Sequence, residues 1–195
     1  MLASITPLGE RSRGSSWNVT ATAFVIGAVV AGGLAGAALG ALGSLLPGGA
    51  HARALAVAAV LAGALLFDAT PLRRGLPSTR RQVNEDWLGR YRGWVYGIGF
   101  GAQLGVGVVT IVTTAMVYAA VACALLCPSV AAGALVGVCF GAVRGLSLLP
   151  ARRARDPASL VALHRRVQKL ERPVRNVTTW LELLVLVAVL GALLW

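Results

Sequence analysis

Three ionisable residues interrupt otherwise apolar stretches of this chain: Asp68, Arg144 and Glu182. A charge in hydrocarbon is costly, so each is by default a functional-site candidate, part of an ion path, a substrate path or a proton relay. Arg144 placed beside Glu182 or Asp68 would neutralise it, because an opposite charge within about 4–6 Å favours both ionised forms. The long Arg144 side chain can also snorkel to the interface. Glu182 is too short to do so well, which makes it the foremost candidate. Its expected partner is Arg144, at a side-chain distance of about 4 Å.

A second constellation is uncharged. At 100° per residue Gln103, Thr110, Thr114 and Tyr118 fall within about 80° of one another. On one continuous helix they make a polar stripe about 22 Å long, enough to line a substrate path. Threonines in membrane helices also bond their own backbone, which accounts for Thr110 and Thr114 without function.

Other chemistry finds little support. Cys123 and Cys127 share a helix face, with Cys139 further on, but there is no Cys-x-x-Cys and no His/Cys metal pattern. His51 and His164 fall on opposite sides of the expected membrane. No catalytic triad, metal site or cofactor is expected. Gly97-x-Gly99-x-Gly101 superficially matches a dinucleotide loop, but it lacks the strand–loop–helix context that loop requires.

The elements that carry these residues are membrane helices. The chain has 195 residues, 57% hydrophobic and only 13% charged, with a mean hydropathy of +0.75. A soluble domain is about half apolar and about a quarter charged. Five spans are expected, at about 21–46, 52–70, 94–126, 129–149 and 178–195, in a single membrane domain. The third is long for a span of about 20 residues, so it tilts, extends into water or breaks at its glycines.

The net charge of +11 does not indicate a nucleic-acid partner. The basic residues collect in two loops, about 71–93 and 150–177, where the positive-inside rule places them. Both loops then face the cytoplasm, with the N-terminus inside and the C-terminus outside. Seventeen of the eighteen basic residues are arginine, which fits a GC-rich bacterial genome and a cell (inner) membrane location.

Glycines recur every fourth residue: Gly93, Gly97, Gly101 and Gly105; Gly133, Gly137, Gly141 and Gly145; Gly32, Gly36 and Gly40. That step keeps them on one helix face and lets another backbone approach, so these three spans are expected to pack as a glycine zipper. Trp87, Tyr91, Trp94 and Tyr96 read as an interfacial aromatic anchor. Pro157 to Arg175 reads as a basic amphipathic helix on the inner leaflet, with Leu160, Val161, Leu163, Val167 and Leu170 between Arg165, Arg166, Lys169 and Arg172. Anionic lipid is its expected partner. A homo-oligomer or a membrane-protein partner fits the same surface.

The stretch Arg81-Gln-Val-Asn-Glu-Asp-Trp87, followed by Tyr96-Gly-Ile-Gly-Phe-Gly-Ala-Gln-Leu-Gly105, resembles the glycine-rich start of a span in the cytochrome-biogenesis thiol transporters (the CcdA/DsbD group) and related small exporters. That group carries an embedded cysteine in each half, typically beside proline. Here only Cys127-Pro128 matches, at a membrane edge, and the paired embedded cysteines are absent. The resemblance implies a small helical transporter-like protein and transfers no catalytic residue. Three functions follow in order: a transporter or transporter-like subunit with a path along the third span, a non-transporting anchor or assembly partner, and a thiol-redox carrier using Cys127 and Cys139.

Overall fold

The computed structural model describes residues 5–70, 86–107 and 114–193, with the backbone alone at 171 and 172. The described residues form α1 (Pro7–Ser12), α2 (Trp17–Ser44), α3 (Ala50–Ala69), α4 (Asp86–Arg90), α5 (Gly93–Val106), α6 (Met116–Leu126), α7 (Val130–Leu146), a 3-10 turn (Leu149–Arg153) and α8 (Pro157–Leu193). No strand occurs among them. Four helical stretches are long and apolar enough to cross a membrane: Trp17–Ser44, Ala50–Ala69, Val130–Arg153 and Pro173–Leu193. Large apolar side chains accordingly lie on the outside, among them Leu34, Leu135, Val143 and Leu184.

Local chemistry sets the helix ends. Ser129 caps α7 by accepting from the Ala132 N–H at 3.1 Å, just after Pro128 stops the preceding helix. Asp156 and Ser159 cap α8 reciprocally: the Ser159 N–H donates to Asp156 Oδ1 at 2.8 Å, and the Asp156 N–H donates to Ser159 Oγ at 3.1 Å.

Helix α2 is the axis of the bundle, with α5 and α7 against it, while α3 packs on α6 and α8. The close approaches run through glycine. A Cβ at Gly36 would meet the Gly137 backbone at 2.9 Å, and one at Gly133 would meet Gly40 Cα at 2.8 Å. A Cβ at Gly97 would meet the Thr20 carbonyl at 2.7 Å, and one at Gly105 would meet Ala28 backbone carbon at 2.8 Å. Without side chains the helices gain backbone-to-backbone dispersion along their length, the main attraction open to them where solvent is as apolar as leucine.

Residues 94–126 do not form one helix. α5 ends at Gly107, whose φ of +81° is left-handed and stops the helix. α6 starts afresh at Met116. α5 follows α2 from Thr20 to Ala28, while the end of α6 lies against Gly43, so the two half-helices together run the length of α2.

The last helix differs from expectation in the other sense. The basic segment and the final apolar segment, expected as an interfacial helix followed by a separate span, form the single 37-residue helix α8, with Pro173 inside it. One proline removes one backbone hydrogen bond and crowds one carbonyl, which a long helix can survive.

Candidate functional site

The break between α5 and α6 is charged at both ends by other helices. At the C-terminal end of α5, the Arg144 guanidinium of α7 lies against Gly107: a Cβ there would sit 3.7 Å from an Arg144 Nη atom. The same guanidinium stacks over the Phe140 ring, 5.2 Å from its centroid. At the N-terminal end of α6, Asp68 of α3 is the cap. The Ala115 N–H donates to Asp68 Oδ1 at 2.8 Å, and the Thr114 hydroxyl donates to Oδ2. The Met116 N–H in turn donates to Thr114 Oγ1 at 3.2 Å. A cation at a helix C-terminus and an anion at an N-terminus both complement the backbone dipole.

Glu182 of α8 completes the group. It is 2% exposed. Its carboxyl group faces that of Asp68, close enough for the two to interact. Among the described residues neither Glu182 oxygen has a hydrogen-bond donor. The same three elements pack together through an apolar cluster: Leu61 and Ala64 of α3, Ala115 and Ala119 of the α6 segment, and Leu186 and Val189 of α8.

The expected ion pair between Glu182 and Arg144 does not form. Glu182 neighbours a second carboxyl group instead, and Arg144 is taken by the end of α5. The reason is packing: α8 lies mainly on α3, whereas α7 lies on α2, α5 and α6. Arg13 and Glu10 do form an ion pair, at 2.7 Å.

The polar stripe also changes. Gln103 is half-buried on α5, and Thr114 and Tyr118 lie beyond the break, so the 100° spacing does not carry across Gly107. Thr110 lies outside the described residues. Thr114 meets Asp68, while Tyr118 is 39% exposed. Of the expected residues, the fold brings together Asp68, Thr114 and Glu182.

A second polar cluster escaped the sequence reading. Glu10 is fully buried, accepting from the Tyr96 hydroxyl at 2.6 and 2.7 Å, from Thr20 Oγ1 at 2.7 Å and from Arg13 at 2.7 Å. Burial works against the charge on Arg13, but hydrogen bonds to Glu10 and Tyr96 outweigh it and hold the guanidinium above its ordinary pKa. Tyr96, expected at the interface, is 1% exposed. Trp87 stacks on Phe100, with ring centroids 6.1 Å apart. The Leu8 N–H donates to the Ala154 carbonyl at 3.3 Å, which ties α1 to the 3-10 turn region. With three donors on one carboxylate, this cluster is a clasp that fixes the N-terminal segment over the ends of α2 and α5.

At the other end of the bundle a cavity of about 410 Å³ is lined by Gly48, Arg53, Val57, Cys123, Cys127 and Pro128. All three cysteines are free thiols. Arg53 is committed to the adjacent turn, donating to the carbonyls of Leu46 at 2.7 Å and Gly48 at 3.3 Å. Among the described residues no group of three or more His, Cys, Asp and Glu is placed to hold a metal ion.

Comparison with family models, with curated proteins and with solved structures gives no match to this chain.

Proposed function

We propose that this chain is a small multi-pass transporter, or a transporter-like subunit of a larger assembly, whose polar site is the break in its third span. In this reading it crosses the cell membrane five times, with α5 and α6 as two halves of one span. The arginine-rich loops and the N-terminus are cytoplasmic, and the C-terminus is outside. A glycine zipper holds α5, α2 and α7 as a rigid unit, against which α3, α6 and α8 are the freer part.

One observation carries the reading: Glu182, buried beside an apolar cluster with no hydrogen-bond donor among the described residues, faces the carboxylate that caps a half-helix. Discontinuous helices let backbone ends and side chains form a polar site within a membrane. Buried unpaired polar groups are destabilising, so an arrangement that keeps one must draw some other advantage from it.

The test is accessibility along the path. Cysteine is introduced singly at Gln103, Thr114 and Tyr118 in a cysteine-free background and labelled in membranes with an impermeant thiol reagent. The reading expects Thr114→Cys to react from at least one side, as a position on a water-filled route does. Inertness of Thr114→Cys from both sides, in a folded protein, would leave no route to the break.

A second reading, an anchor or assembly partner, rests on α8. Its first half bears exposed Arg165, Arg166 and Lys169 alongside exposed Val161, Val167 and Leu170. Loss of function on neutralising those three charges, with the accessibility of Thr114→Cys intact, favours it.

A further inference from the structure

The carboxyl pair has a definite stoichiometry. Both Asp68 oxygens already accept, one from the Ala115 N–H and one from Thr114. Those are donors to a carboxylate, at the positive end of α6, so Asp68 is the ionised member. Among the described residues Glu182 has neither donor nor counter-charge.

Among the described residues the groups that could supply one are accounted for. On α3 the titratable group near Glu182 is Asp68 itself, since His51 and Arg53 stand at the opposite end of that helix. α6 carries Tyr118 and Cys123, with Cys127 at its C-cap, and no Asp, Glu, Lys, Arg or His. On α8 the nearest hydroxyls toward the basic end donate to their own backbone, Thr178 to the Val174 carbonyl at 3.0 Å and Thr179 to the Arg175 carbonyl at 3.1 Å. Arg175 lies seven residues away, about 10 Å along the helix.

Two ionised carboxylates facing each other in a pocket between packed helices repel strongly, and each also loses its hydration. One proton removes the conflict. A metal cation fits less well, because hard cations take six or more oxygens and the pocket offers essentially two carboxyl groups and one hydroxyl.

We propose that the Asp68–Glu182 pair is a one-proton binding site, and that proton release weakens the packing of α8 on α3; this rests on the transport reading and makes the transported process proton-coupled. In the loaded state Glu182 is a carboxylic acid whose O–H is directed at the Asp68 carboxylate, and the pair carries one negative charge. Release of that proton to water leaves two negative charges face to face. The contact they push apart is the one that Leu186 and Val189 of α8 make with α3 and α6.

Infrared difference spectroscopy on the reconstituted full-length chain tests this. Expected is a protonated-carboxyl C=O band that disappears on alkalinisation and is lost in Glu182→Gln. In Asp68→Asn the band persists at a shifted frequency, because the acceptor of its hydrogen bond has changed. A band unaffected by Glu182→Gln, or one bleached by sodium ions at constant pH, overturns the proposal. If Glu182→Gln does not fold, the Asp68→Asn shift still decides: an unchanged frequency means that the two groups do not share a proton. A negative spectrum with a reactive Thr114→Cys would remove the proton site and leave the path standing.

Discussion

Asp68 and Arg144, on different helices, stand at the two facing ends of α5 and α6: Asp68 accepts from the first amide of the α6 segment, and Arg144 lies against the glycine that ends α5. Neither residue serves the other. The break is thus a built feature with a charged group on each exposed backbone end, and this defines the centre of the molecule chemically.

Replacing Asp68 should separate its two roles. Asp68→Asn keeps a carbonyl oxygen for the Ala115 N–H, whereas Asp68→Ala leaves that amide and the Thr114 hydroxyl without an acceptor. The alanine variant is expected to be less stable by about 1–3 kcal/mol. Thermal unfolding in detergent measures this, and equal melting temperatures for the two variants would mean that the cap contributes nothing.

Arg144→Leu should lower stability by about 0.5–2 kcal/mol, through loss of its contact with the α5 terminus and of its stacking on Phe140. Arg144→Lys should recover part of that loss. If Arg144 acted mainly by neutralising Glu182, Arg144→Leu combined with Glu182→Gln would restore the melting temperature. The geometry predicts that it does not.

The glycines divide into two classes by what lies opposite them. Gly137 and Gly141 face the backbone of α2, so alanine there overpacks by about 1–3 kcal/mol, and leucine should prevent assembly. Gly63 and Gly191 face open space within helices, and alanine there should be neutral or stabilising by about 0.5–1 kcal/mol. Expression and melting temperature of the four alanine variants check this. A uniform response would contradict the packing.

The N-terminal clasp is expected to be structural. Tyr96→Phe removes one donor to Glu10 and should cost about 0.5–1.5 kcal/mol. Glu10→Ala orphans the donors from Arg13, Thr20 and Tyr96 together and should cost more. Protease sensitivity of the first sixteen residues, compared between these variants, reports whether the segment has come loose.

Asp68 and Glu182 were visible in the sequence because a carboxylate inside an apolar run has few structural explanations. Their pairing was not visible: it depends on the long helix α8 packing against α3, and hydropathy carries no information about which helices are neighbours. The break at Gly107 was hidden among several other glycines on the same helix. What singles it out is a positive φ at Gly107, and the next helix opens on a cap whose donor and acceptor lie 46 residues apart. Nothing in the sequence marks Glu10, because polar residues surround it. Its partners Thr20 and Tyr96 lie 10 and 86 residues away. The basic and apolar parts of α8 looked like two elements because composition changes near Pro173, while backbone geometry does not.

The most direct measurement is modification by a hydrophobic carbodiimide in native membranes, followed by peptide mass mapping. This reagent attacks a protonated carboxyl group reached from the lipid phase. Glu182 is buried without a donor among the described residues, while Glu10 is equally buried but ion-paired to Arg13 and hydrogen-bonded twice more. The account predicts an adduct on the peptide containing Glu182, absent in Glu182→Gln, with Glu10 unmodified. An adduct on Glu10 with none on Glu182 would contradict it.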